Sequence, residues 1–348
     1  MIELLFILGL MGTAAAFGLF DDDGSDNTPD TPDDTADGTD TVTDGTDDLL
    51  TDPNTDGSDT IAAEGDTLIG TEGADTLEGG DLADLLKGLE GADILSGEAG
   101  DDTLDGGAGA DALFGGFGDD SLDGGAGEDL LKGGRGDDFI NGGANPDDIR
   151  AADGLDTVNG GSGNDTIDGG ADDDVLYGGN GRDLIMGQEG DDFLEGADGL
   201  DTMMGGDGDD LIIGYHDATE DGLYTYAEGD TADDTREADE LFGDAGADFM
   251  IAGTGDTMTG GEGADIFGTG AWVFGGEGAY VTDFDAAEDL LVVAVPPEFD
   301  VVGADVTIAE VDGVQQVSVN GQLAMSVNVA SGTLTVDLVS LVAVDGFA

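Results

Sequence analysis

Residues 102–138 read DTLDGGAGADALFGGFGDDSLDGGAGEDLLKGGRGDD, and this stretch decides the fold. Asp stands at 102, 111, 120, 129 and 138, a spacing of nine. Two residues after each Asp comes an aliphatic side chain: Leu104, Leu113, Leu122, Leu131 and Ile140. Glycine dominates five and two residues before the Asp. The unit is therefore G-G-x-G-x-D-x-U-x, with U aliphatic. Strict copies of its first six positions end at Asp111, Asp120, Asp129, Asp138, Asp165, Asp183, Asp210 and Asp265. Followed outward, the Asp period runs unbroken from Asp66 to Asp210, and the U position runs from Leu68 to Ile212 with Met203 the one non-aliphatic member. Residues 214–238, GYHDATEDGLYTYAEGDTADDTREA, interrupt the period. It resumes at Asp239, Asp248, Asp256 (one residue short) and Asp265.

The unit predicts local structure directly. Six Gly-rich residues suit a tight turn, because glycine reaches positive φ without steric cost. Three residues, x-U-x, suit a very short strand whose centre points inward. Two units then make one coil of 18 residues, and stacked coils place every second Asp on the same edge. One row is Asp75, Asp93, Asp111, Asp129, Asp147, Asp165, Asp183 and Asp201; the other is Asp66, Asp84, Asp102, Asp120, Asp138, Asp156, Asp174, Asp192 and Asp210. Neighbouring strands lie about 4.8 Å apart, so the carboxylates stack at about that interval and repel unless something neutralises them.

Charge points to the neutraliser. The 348 residues hold 83 Asp and Glu against 6 Lys and Arg, a formal net charge of −77. That excludes nucleic acid as a partner, since phosphate contacts need clustered basic residues. It argues equally against docking on anionic lipid, and makes cations the first partner to consider. Cysteine is absent and His216 is the only histidine, which excludes disulfides, thiolate metal sites and any site needing two imidazoles. Calcium suits what remains: it accepts six to eight hard oxygens, main-chain carbonyls included, in a flexible geometry, whereas magnesium wants a strict octahedron. The candidate ligands are Asp75, Asp84, Asp93, Asp102, Asp111, Asp120, Asp129, Asp138, Asp165, Asp174, Asp183, Asp192, Asp201, Asp210, Asp248 and Asp265. One buried aliphatic side chain per unit returns less than the ordering of nine residues costs. The chain is accordingly expected to be unfolded without calcium and folded with it.

The formula G-G-x-G-x-D-x-U-x resembles the calcium-binding repeat of the RTX (haemolysin-type) family, over roughly residues 61–285. The resemblance implies an all-β fold, a right-handed parallel β-roll closed by a small antiparallel β cap. It also implies several bound calcium ions and bacterial export, typically by type I secretion. The segment Val281–Asp285, followed by Asp289-Leu290-Leu291, resembles the closing segment of such rolls, and LVSLVAVDGFA at the end reads as an export signal. Where the pattern departs, sites are in doubt. Leu82 precedes Asp84, Asn145-Pro146 precede Asp147, Ala151-Ala152 precede Asp156, and Asp172 precedes Asp174. Weak binding or a bulge is expected near 142–156, and the best sites around Asp102–Asp138 and Asp183–Asp210.

Four regions follow. Residues 1–20, apolar apart from Glu3, read as a signal peptide or a membrane anchor of about spanning length. Residues 21–60, Asp-, Thr- and Pro-rich, read as a disordered spacer. Residues 61–279 form the roll with its insertion 214–238, and 280–348 the cap, with Val314–Val319 and Leu334–Leu338 as antiparallel strands. No Gly-x-Ser-x-Gly, P-loop or HExxH motif occurs, and nothing pairs an acid with a base in an apolar setting. The expected function is an extracellular calcium-binding structural or adhesive module, not an enzyme, with a cell-surface or matrix partner. The alternative is a freely secreted protein, the remnant of a hydrolase or an accessory to a toxin. His216 reads as a surface loop residue, and Tyr224, Tyr226 and Trp272 as packing groups.

Overall fold

In the computed structural model, residues 59–60, 65, 67–214, 238–253, 255–270, 278–295 and 304–343 are described. The readings made of residues 1–58, of Asp66 and of His216, Tyr224, Tyr226 and Trp272 lie outside them. The described residues form a parallel β-solenoid of two long sheets, one of 15 strands and one of 13. Consecutive strands alternate between the sheets, so each coil contributes one strand to each. In the first sheet Leu95 stands beside Leu77 and Leu113; in the second Leu104 stands beside Leu86 and Leu122. This is the 18-residue coil that the period predicts. The U side chains form two facing columns with 0–7% exposure from Leu68 to Ile212, and the core continues through Leu241, Met250, Met258 and Phe267.

The strands are longer than the three residues that x-U-x suggests. They typically span six, as in Thr103–Ala108, Ala112–Phe117 and Ser121–Ala126. Pairing runs on through the glycines, Gly107 lying beside Leu89 and Gly125. Inward and outward positions alternate along the whole unit, so Asp102, Leu104 and Gly106 all face the interior. The turn is thereby confined to two or three residues.

The departures from the motif leave the coil intact. No bulge occurs at 142–156: the strand Asp148–Asp153 keeps its register with both neighbours. Non-glycine residues there take up the left-handed backbone, Asn145 at φ 83° and Ala152 at φ 100°. Leu89, Glu98, Asp172 and Gln188 do the same, at a local conformational cost. Across the insertion the coil is also preserved, Thr202 pairing with Glu240.

Parallel pairing begins at Asp59–Thr60, within the stretch read as spacer, and extends past residue 280. Ala279–Asp285 and Leu290–Val295 each add a parallel strand to one sheet. The antiparallel part is a hairpin, Val306–Val311 with Val314–Val319, joined to Gln322–Ser331. Leu334–Leu338 is not a strand: it leads into a single 3-10 turn at Val336–Leu338, and the following Val339–Ala343 pairs parallel to Leu290–Val295. A two-residue alternation in a short segment does not by itself distinguish a strand from the turn that delivers one.

Candidate metal centre

Every repeat Asp from Asp84 to Asp265 is buried, with 0–7% exposure. Burial follows from alternation: an Asp two residues before an inward U side chain must itself point inward. The carboxylates are held by the main chain of the neighbouring coil. The Asp102 N–H donates to Asp120 Oδ1 at 2.8 Å, the Asp120 N–H to Asp138 Oδ1 at 2.8 Å, and so on along both rows. The ladder spans the insertion, where the Asp201 N–H donates to Asp239 Oδ1 across 38 residues. It also spans the shortened unit, from Asp239 to Asp256. It closes where the Asp265 N–H donates to Asp289 Oδ1.

All sixteen candidate residues lie in these two rows. Asp75 sits at the start, half-buried, with its Oδ2 accepting from Thr71 N–H and Oγ. Asp147, Asp156, Asp239, Asp256 and Asp289 occupy equivalent ladder positions and were not among the candidates. The first four were visible in the period itself. Their weak glycine context set Asp147 and Asp156 aside, yet main-chain pairing does not depend on it.

The second carboxylate oxygen is different. For every ninth residue from Asp93 to Asp192, and for Asp210 and Asp248, Oδ2 is buried and has no hydrogen-bond partner. Except at Asp156, which follows Ala151, it lies against the inward glycine five residues earlier. A Cβ at Gly115 would fall 2.3 Å from Asp120 Oδ2 and 2.7 Å from the Gly133 carbonyl oxygen of the next coil. One carboxylate oxygen and one main-chain carbonyl thus converge beside a position where an added methyl group would be crowded. Burial lifts these carboxyls above the ordinary range, an effect that the main-chain N–H opposes and neighbouring carboxylates reinforce. Asp120, Asp138 and Asp210 are raised to about 7, and Asp174 to about 8. In the other row Asp129 and Asp165 are raised to about 6, and Asp147 to about 7.

Among the described residues no three His, Cys, Asp or Glu side chains come together to hold a metal. Each level of a row brings one inward carboxylate, so a cation here draws its remaining donors from main-chain carbonyls. The donor set fits calcium: a buried, unsatisfied carboxylate oxygen, carbonyl oxygens nearby, and no nitrogen or sulfur. It does not fit zinc or copper.

The architecture defines a class: a parallel β-solenoid of acidic nonapeptide coils with two carboxylate ladders. The model of the RTX calcium-binding nonapeptide repeat matches residues 62–84, 78–113, 114–149, 150–185, 177–212 and 224–256, more than half of the chain. The chain belongs to that family. No curated protein matches it. Among solved structures, the extracellular lipase LipA of Serratia marcescens matches over 80% of this chain at 16% identity, with a TM-score of 0.15. The chain spans 40% of that lipase's length. Among the described residues no helix is long and apolar enough to cross a membrane.

Proposed function

We propose that this chain is an extracellular structural or adhesive module that folds into its solenoid on binding calcium, with no catalytic role. The supporting observation is the pair of ladders in which Oδ2 is buried without a hydrogen-bond partner at every ninth residue from Asp93 to Asp192 and at Asp210 and Asp248. A buried carboxylate without a partner is costly while charged, and a calcium ion shared with main-chain carbonyls offsets that cost where hydrogen bonds do not. The rows from Asp93 to Asp210, with Asp248 and Asp265, would supply the carboxylates. The Gly-rich strands and turns would supply the carbonyls. Export fits the same chemistry: a chain that stays unfolded where calcium is scarce folds where calcium is plentiful.

Far-UV circular dichroism tests this reading at pH 7.5, with calcium and then with excess EDTA. The strand spectrum is expected with calcium and to be lost on chelation. A spectrum unchanged by chelation refutes the reading.

A further inference from the structure

The chain holds few basic residues, and the coil gathers three of them on one outward face. On the first sheet the strand Leu130–Arg135 carries Lys132 and Arg135, and the adjacent strand Asp148–Asp153 carries Arg150. Lys132 and Arg150 are register partners, directly side by side. On the other flank, in Ala112–Phe117, Phe114 is the register partner of Lys132 and Phe117 that of Arg135. The Lys132 ammonium lies 5.6 Å from the Phe114 ring centre, and the Arg135 guanidinium 5.4 Å from that of Phe117. Phe117 is 59% exposed.

Ion pairing does not account for this grouping. Like charges directly opposite on a sheet are destabilising. On the second sheet the chain makes the ordinary choice, Lys87 beside Asp105 at 3.6 Å. Here it sets Lys132 against Arg150, although acidic residues are abundant. Arg150 meets Asp148 at 3.1 Å and Arg135 meets Asp153 at 3.4 Å, both as exposed pairs of small net worth. Among the described residues Lys132 has no ion pair. Asp168 borders the group beyond Arg150.

We propose that this face is a binding surface for a carboxylate-bearing glycan, with Lys132 and Arg150 receiving the uronate carboxylate and Phe114 and Phe117 packing on the C–H face of the sugar ring. An arginine fork matches a carboxylate, and an exposed aromatic beside a cation offers an apolar platform next to a charge. A second copy of this chain would supply carboxylates too. It would bring a formal charge of −77 against a chain of the same charge, whereas a short uronate glycan brings one carboxylate per disaccharide, so the glycan is the better complement.

The test is isothermal titration of the calcium-loaded full chain with a hyaluronan octasaccharide, and with maltooctaose as the neutral control. Hyaluronan is expected to bind about tenfold more tightly than maltooctaose. The double variant Lys132→Gln/Arg150→Gln is expected to lose about tenfold for hyaluronan, and Phe114→Ser/Phe117→Ser about as much. Circular dichroism in calcium checks that each variant is folded. Arg150→Lys, which keeps charge but not the fork, serves as a milder variant and should lose part of the affinity. Equal affinity for the two sugars, no binding of hyaluronan, or unchanged affinity in folded variants overturns the proposal. So does self-association in sedimentation that the double variant abolishes, since the occupant would then be a second copy.

Discussion

The two edges of the solenoid obey one nine-residue formula and differ in character. On the edge of the Asp84 row, the residue just before the repeat Asp is itself acidic in most coils: Asp101, Asp119, Asp137, Asp173, Asp191 and Asp209. On the edge of the Asp75 row the same position holds Ala92, Ala110, Glu128, Pro146, Asn164, Arg182 and Leu200. The acidic edge therefore carries a second, exposed ladder, with the Asp119 N–H donating to Asp101 Oδ1 and the Asp137 N–H to Asp119 Oδ1. Its polarity is reversed: the donor sits in the later coil, whereas in the buried ladder it sits in the earlier one. The inner contacts differ as well. A Cβ on the inward glycine would fall 2.2 Å from Asp102 Oδ2 and 2.0 Å from Asp210 Oδ2, against 2.8 Å from Asp111 and Asp129 Oδ2. A repeat formula constrains the positions that face inward and leaves the outward ones free, so one edge accumulates charge that the other does not.

The comparison is broken most forcefully at the inward glycines. Gly115→Ala, on the acidic edge, is expected to cost about 3 kcal/mol in calcium-bound stability, and Gly124→Ala about 1–2. Denaturant unfolding of both variants in calcium measures the difference, and equal losses would mean that the two edges are packed alike. Nature has made a related change once, at Ala151, which is fully buried five residues before Asp156. That coil is expected to contribute least to calcium binding on its edge.

Acid sharpens the comparison next. The buried carboxyls hold their protons more tightly folded than unfolded, because burial raises them. Without calcium, the stability they contribute is fully present below the unfolded carboxylate pKa of about 4. It is lost as pH rises through about 6 to 8, where Asp129, Asp120 and Asp174 give up their protons in the fold. In EDTA, far-UV circular dichroism is therefore expected to show strand signal at pH 4.5 that is lost by pH 7.5. A strand signal that grows as pH rises in EDTA would contradict the burial of the rows.

The outer ladder gives a smaller effect. Asp119→Asn with Asp137→Asn keeps the acceptor oxygens and removes two charges beside Asp120 and Asp138. Calcium affinity on that edge is expected to fall. Glu128→Gln on the other edge removes a single charge near Asp147 and should lower affinity less, and titration calorimetry compares them. Smallest of all, Ala152→Gly relieves a left-handed backbone at an exposed position and should add about 0.5–1 kcal/mol.

Much of this was legible in the residues. The fixed spacing of Asp and U dictated an 18-residue coil, two sheets and two acidic rows, because only a stack of equal coils repeats a core position at that interval. The ladder runs on through the shortened unit at Asp256 and joins Asp201 to Asp239 on either side of the insertion, since pairing is local to adjacent coils. Other features were not legible. The glycine run reads as a turn in one dimension, and its role as a continuing strand depends on a partner coil for its hydrogen bonds. Nothing in Asn145-Pro146 or Ala151-Ala152 told that the backbone there would hold its register. Neighbours on both sides fix it.

Sequence alone determined the period, the sign of the charge and the oxygen-only chemistry of the sites, because these depend on which residues recur and which are missing. Tertiary structure alone decided how the ladder carboxylates from Asp93 to Asp192 are divided, one oxygen on a neighbouring main-chain N–H and the other buried without a hydrogen bond. It also decided that Lys132 and Arg150, eighteen residues apart, stand side by side. Both follow from stacking, which brings together groups that no reading along the chain sets in contact.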